Sequence, residues 1–215
     1  MTVCYFFKEK NMPTELFDRL SPEKRARVKE AIGKELGLVP IEEFSIRRVA
    51  HNAGIARGSF YQYFDGITDA IKCVLADYVS YIKKGAVSLL EKYRYNVFDA
   101  EEALFEKLKI YYEQCDEKNK MILRNYGKSF RLCEVSSYET FVHEVARLKE
   151  FIREKISECA KPDLSPDRVA DAIELSVLVF RSAISFLFGN FDDQEEITRR
   201  FHNQLELIKV GLLEK

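Results

Sequence analysis

Residues 44–64, FSIRRVAHNAGIARGSFYQYF, collect side chains suited to one kind of chemistry, contact with phosphate oxygens and base edges. Arg47, Arg48, His51, Arg57, Ser59, Tyr61, Gln62 and Tyr63 are cations or hydrogen-bonding tips, and no carboxylate stands among them. The nearby acids, Glu42, Glu43 and Asp65, fall outside the two elements that carry this set. A solvated helix face ordinarily mixes signs, so a face without acids points to a polyanion as its partner.

The same stretch supplies the elements that would hold these groups. Ser45 is placed to cap a helix, and Ile46, Val49, Ala50 and Ala53 recur at helical spacing on one face. Ala50 is small where two helices must cross closely. Gly54 follows where the chain must reverse through a left-handed backbone, and Ile55 and Phe60 fill the angle beyond it. The expected element is a helix-turn-helix. Ser45, Arg47 and Arg48 from its first helix and Arg57, Ser59, Tyr61, Gln62 and Tyr63 from its second form the expected DNA face. Ser45, Tyr61 and Tyr63 are read as groups that position the backbone, and Arg57 and Gln62 as groups that read bases. Helix pairs of this kind also occur in proteins that never touch DNA, and it is the uniform sign of the outward set that favours the nucleic-acid reading.

The run resembles the N-terminal signature of TetR-family transcriptional regulators. The matching residues are Ser45 as the cap, Ala53-Gly54-Ile55 at the turn, Arg57-Gly58-Ser59-Phe60-Tyr61, and the closing Tyr63-Phe64. Gly58 joins the DNA set through this motif. The signature covers about a quarter of the chain. One departure is clear: Ile67 stands after Asp65-Gly66 where the family usually has a lysine, which removes a phosphate contact. The resemblance implies an N-terminal three-helix DNA-binding domain and a C-terminal helical domain for ligand binding and dimerisation. It also implies a homodimer that binds a palindromic operator in double-stranded DNA, most often as a repressor, and responds to a small-molecule effector. The effector would sit among the middle helices, with Tyr111, Tyr126, Phe151 and Arg181 as candidate lining.

Residues 20–64 hold eight Lys/Arg against five Asp/Glu, in a chain of 215 residues whose net charge is −1, so the positive excess falls where the motif needs it. Five widely spaced cysteines without a C-x-x-C pair read as reduced thiols. The N-terminus MTVCYFFKEK lacks the apolar run of a signal peptide, and the richest apolar stretch, 175–188, is short and interrupted by Arg181. The expectation is a cytoplasmic protein without membrane association.

Nine glycines, five prolines and no sustained alternation indicate an all-α chain. Ser21-Pro22 opens a helix through Val28, Ile32 and Leu36 that Gly37 closes. A long helix starts near Thr68 and reaches the early nineties, and further helices are expected at 100–117, 120–133, 137–159, 165–188 and 194–213. The expected division is a DNA-binding domain over 1–66 and an effector-binding and dimerisation domain over 67–215. The helix spanning 175–188 is apolar on nearly every side, and the last helix carries Ile197, Phe201, Leu205, Ile208 and Leu212 at steps of three and four. With Phe180 and Ile184 they are read as the seam of a four-helix dimer interface.

Enzymatic chemistry finds little footing. His51, His143 and His202 lie far apart without metal-spaced partners, no glycine pattern fits a phosphate loop, and no serine sits in a nucleophile elbow. Neither a metal nor a cofactor is expected. The rival readings are an architectural DNA-binding factor without an effector and, from another class, a helical enzyme or carrier.

Overall fold

The computed structural model describes residues 13–128, 156, 160–161, 163–189 and 193–213. The helix expected at 137–159, and Phe151 with it, lies outside the described residues. Two compact units divide the chain, Met1–Tyr78 and Val79–Lys215. Every regular element among the described residues is helical apart from a single isolated bridge, Ala160 to Leu213.

In the first unit, α1 is the short helix Glu15–Asp18 and α2 runs Pro22–Leu38. The Lys24 N–H donates to Ser21 Oγ at 3.3 Å, and Pro22 supplies the preset φ of a first helical residue. Val28, Ile32 and Leu36, at four-residue steps, are wholly buried. The helix passes through Gly37, where the sequence reading ended it, and stops after Leu38. Val39 precedes Pro40 and takes extended backbone (φ −136°, ψ 155°), which the proline ring demands of its neighbour. After a 3-10 turn at Ile41–Glu43 come α3, Ile46–Ala53, and α4, Arg57–Tyr63. The long helix α5, Ile67–Lys92, gives its first three turns to this unit.

The second unit holds the remainder of α5 with α6 (Val97–Gln114), α7 (Glu117–Lys128), α8 (Pro166–Gly189) and α9 (Gln194–Leu212). Asn96 caps α6 by accepting from the Phe98 and Asp99 amides, so that helix starts one turn earlier than its apolar pattern suggests. The corner before it closes α5 with paired bonds, Tyr95 N–H to Leu90 O at 2.7 Å and Arg94 N–H to Glu91 O at 3.1 Å. That cap is normally built on glycine, yet Arg94 and Tyr95 hold the positive φ here (51° and 65°).

Where α7 meets α8 the backbones nearly touch. A Cβ on Gly127 would sit 2.9 Å from the Gly189 nitrogen and 3.2 Å from the Ser185 carbonyl oxygen, and Ser185 Oγ donates to Gly127 O at 2.9 Å. Gly127→Ala is expected to destabilise the protein by about 1–3 kcal/mol, more than the helix propensity of alanine returns. A chemical-denaturation midpoint equal to that of the parent would show that the two helices part freely.

The packing of α9 corrects four residues of the seam read from sequence. Ile197, Phe201, Leu205 and Leu212 are 3, 1, 0 and 2% exposed and form the unit's own core. Phe201 stacks on Phe105 of α6 with ring centroids 4.5 Å apart and meets Phe180 of α8 edge-on at 6.1 Å. Phe180, Ile184 and Ile208 are half-buried. Periodicity finds a stripe but not what covers it, and here the chain's own α6 and α8 do. The apolar residues that α8 and α9 leave outside are instead Leu175, Leu178, Leu207 and Val210. The whole of α8 is also longer than its 14-residue apolar run, and by length and composition it could cross a membrane. Its buried residues Val169, Ile173, Ala183 and Leu187 belong to a face that packs on α6, α7 and α9.

Candidate nucleic-acid interface

The turn between α3 and α4 forms as its residues require. Gly54 takes φ 65°, ψ 40°, and lets the Ile55 N–H close on Ala50 O at 3.0 Å while its own N–H closes on His51 O at 3.2 Å. Val49, Ala50 and Ala53 of α3 and Phe60 of α4 are buried. Facing outward are Arg47, His51 and Asn52 on α3 and Arg57, Gly58, Tyr61 and Gln62 on α4, with Ser45 and Ser59 half-buried. Neither helix contains an acid. A Cβ on Gly58 would meet no atom within 4 Å, so an external group can approach the backbone there as closely as this chain's own atoms allow. Asn52, beside His51, extends the outward set along α3 beyond the residues expected from sequence.

Two members of the expected DNA face stand apart from the rest: Tyr63 is buried, and Arg48, though exposed, is paired to a carboxylate. Tyr63 is only 4% exposed and packs on Phe17 of α1 at 5.9 Å. Nothing in the sequence marked α1 as a helix, yet it closes the end of α4. Thr14, its N-cap, donates from its N–H to Tyr63 O (3.1 Å) and from its hydroxyl to Gln62 O (2.8 Å), and so satisfies carbonyls that the last turn of α4 leaves open. Arg48 is turned back onto Glu35 of α2, whose carboxylate is 1% exposed. Nε donates to both Glu35 oxygens (2.9 and 3.0 Å), Nη2 donates to Oε1 (2.5 Å) and to Glu43 O (2.8 Å), and the Glu35 bonds hold the guanidinium above its usual pKa. The reading of a face free of acids thus overlooked a buried one.

In the second unit, Tyr111 stacks on Tyr81 of α5 at 4.9 Å, and burial, followed by Cys115, pushes its hydroxyl pKa up. Tyr126 and Arg181 are half-buried. An open surface groove of about 340 Å³ along α5 is lined by Lys84, Val87, Ser88 and Glu91 and includes none of the candidate effector residues. Cys73 and Cys115 are free thiols, and burial raises Cys73 to about 11, which leaves it unreactive as a nucleophile.

No family model and no curated protein matches the sequence. Solved structures do match the fold. A TetR-family transcriptional regulator from Chloroflexus aurantiacus J-10-FL aligns over 95% of this chain and 100% of its own, at 21% identity and a TM-score of 0.54. NalD of Pseudomonas aeruginosa, the secondary repressor of the MexAB-OprM multidrug efflux pump, aligns over 91% of this chain and 100% of its own, at 16% identity and a TM-score of 0.57. The fold is that of TetR-family regulators. As in other TetR-like structures, an N-terminal helix-turn-helix precedes a helical C-terminal body, and in this chain α2, α3 and α4 make up the N-terminal triplet.

Proposed function

We propose that this chain is a cytoplasmic, DNA-binding transcriptional regulator without enzymatic activity, a repressor that occupies a palindromic operator as a homodimer and is released by a small-molecule effector bound in the helical body. The observation that carries the reading is the outward face of α3 and α4, which presents Arg47, His51, Asn52, Arg57, Tyr61 and Gln62 without a single acid on a TetR-like scaffold. Such a face supplies cations for phosphates and amide or guanidinium forks for base edges. The local charge excess supports it in a chain that is otherwise slightly acidic. Two copies would set two heads on half-sites about 34–36 Å apart, one turn of DNA.

The test is a selection of bound duplexes from a random pool, followed by affinity measurements on the selected site. An inverted repeat is the expected product. Arg57→Ala and Gln62→Ala should each weaken that site by about 1–3 kcal/mol and relax base preference at one position per half-site, whereas Tyr61→Phe should weaken all duplexes alike. Unaltered affinity and preference in all three variants would remove α4 from the interface.

A further inference from the structure

Arg48 differs from the other outward cations of the head. Its guanidinium is held by three contacts to one carboxylate and a fourth to the Glu43 carbonyl, while no such pairing holds Arg47 or Arg57 among the described residues. The carboxylate is Glu35, wholly enclosed on α2, and a carboxylate taken out of water must have its lone pairs met. Glu35 Oε1 also accepts the backbone N–H of Ser45 at 2.9 Å. Ser45 is the N-cap of α3, and its hydroxyl accepts from the Arg48 amide at 3.3 Å.

This arrangement alters a familiar piece of helix chemistry. In a capping box the third helical residue is Glu or Gln, and its side chain returns to the N-cap amide. In α3 the third helical residue is Arg48, which can donate but not accept. The returning carboxylate therefore comes from another helix, ten residues upstream of the cap. One buried group thereby fixes both the N-cap amide of α3 and its third side chain to α2, and a tilt or slide of α3 on α2 would strand a buried charge.

We infer that Glu35 is a positioning residue for DNA reading, fixing the first helix of the helix-turn-helix through Ser45 N–H and Arg48, and that Arg48 is a brace between the two helices, not a phosphate contact. The inference rests on the DNA-binding reading above. A cation already neutralised by a carboxylate within hydrogen-bond distance releases few counterions when DNA arrives, whereas each true phosphate contact adds about 0.9 to the slope of log K against log salt.

The salt slope therefore separates a brace from a contact, and a general loss of stability does not mimic it. Parent, Glu35→Gln and the double variant Glu35→Gln/Arg48→Gln would be titrated at several salt concentrations against the duplex selected by the parent protein and a random duplex of equal length. The double variant should keep the slope of the parent, because the cation it removes touches no phosphate. Glu35→Gln alone should steepen the slope by about one for each bound copy as Arg48 is released. Its preference for the selected over the random duplex should fall on the order of tenfold, the effect of one mismatched base pair. A double variant whose slope drops by about one per copy would make Arg48 a phosphate contact and overturn the brace. An undiminished preference in Glu35→Gln would show that Glu35 positions nothing. The double variant retains amide hydrogen bonding between α2 and α3 and carries the salt test by itself where the single variant does not fold. A parent protein that selects no duplex would overturn the DNA-binding reading instead.

Discussion

Glu101→Gln is expected to be less stable than the parent protein at pH 4 and more stable at pH 9, with the two stability curves crossing between. Glu101 lies on α6, 8% exposed, against Ser176 of α8, which is wholly buried. Its Oε1 is 3.2 Å from Ser176 Oγ, and Oε2 is buried without a partner among the described residues. Ser176 Oγ also lies 2.8 Å from Ile173 O, and a hydroxyl has only one proton to give. The Ser176 hydroxyl therefore divides its one proton between Ile173 O and Glu101 Oε1, which leaves the carboxyl only a weak bond. Burial accordingly raises the carboxyl from 4.5 to about 8, with the serine bond only partly opposing the shift.

The sign of the pH dependence follows from proton counting. Between 4.5 and 8 the folded chain holds a proton at Glu101 that the unfolded chain has lost, so stability falls as pH rises, by about 1.4 kcal/mol per unit. Below that window the contribution is intact, and above it the loss is complete at about 5 kcal/mol. Glutamine cannot ionise and escapes this loss. Its amide brings a second N–H that finds no acceptor, a penalty of about 1–3 kcal/mol at every pH. Denaturation midpoints of the two proteins at pH 4, 6, 8 and 9 would check the expectation, and parallel curves would mean that Glu101 titrates in the folded chain as it does in the unfolded one.

Glu101 also shows which part of this protein its sequence leaves out. The helix-turn-helix was legible because its determinants are local: Ser45 at the cap, Ala50 and Gly54 at the turn and Phe60 beyond it lie within sixteen residues, and each acts on a neighbour one helical turn away. The groups that were not read act at a distance. Glu35 reaches Ser45 and Arg48 from another helix, Thr14 and Phe17 close α4 from 48 and 46 residues upstream of their partners, and Glu101 meets Ser176 across 75 residues. Tyr63 was misplaced for the same reason, because a four-residue helix without periodicity covers it. The all-helical class and the start of α5, expected near Thr68 and found at Ile67, needed only composition and spacing, whereas the identity of the surface that covers an apolar stripe needed the fold.

That last distinction separates substitutions at two positions of α9 six residues apart, Phe201 and Leu207. Phe201→Glu, which the sequence reading would take as a clean break of a dimer, is expected to unfold the second unit. Removing a buried phenyl ring alone costs about 3–5 kcal/mol, and the carboxylate would have to stay protonated or drag water into the stack with Phe105 and Phe180. Leu207 is 74% exposed, and Leu178 on α8 is 49% exposed. If the proposed homodimer closes through the outward stripes of α8 and α9, a two-fold interface brings each stripe against its own copy, and a single change alters the seam twice. Leu178→Glu/Leu207→Glu should therefore keep parental helicity and melting in a dilute monomeric sample, sediment as a monomer, and bind the selected inverted repeat far more weakly, since the second head is no longer tethered at high effective concentration. A double variant that still sediments as a dimer would move the seam off these helices. A folded, monomeric Phe201→Glu protein would instead return it to the stripe that the structure buries.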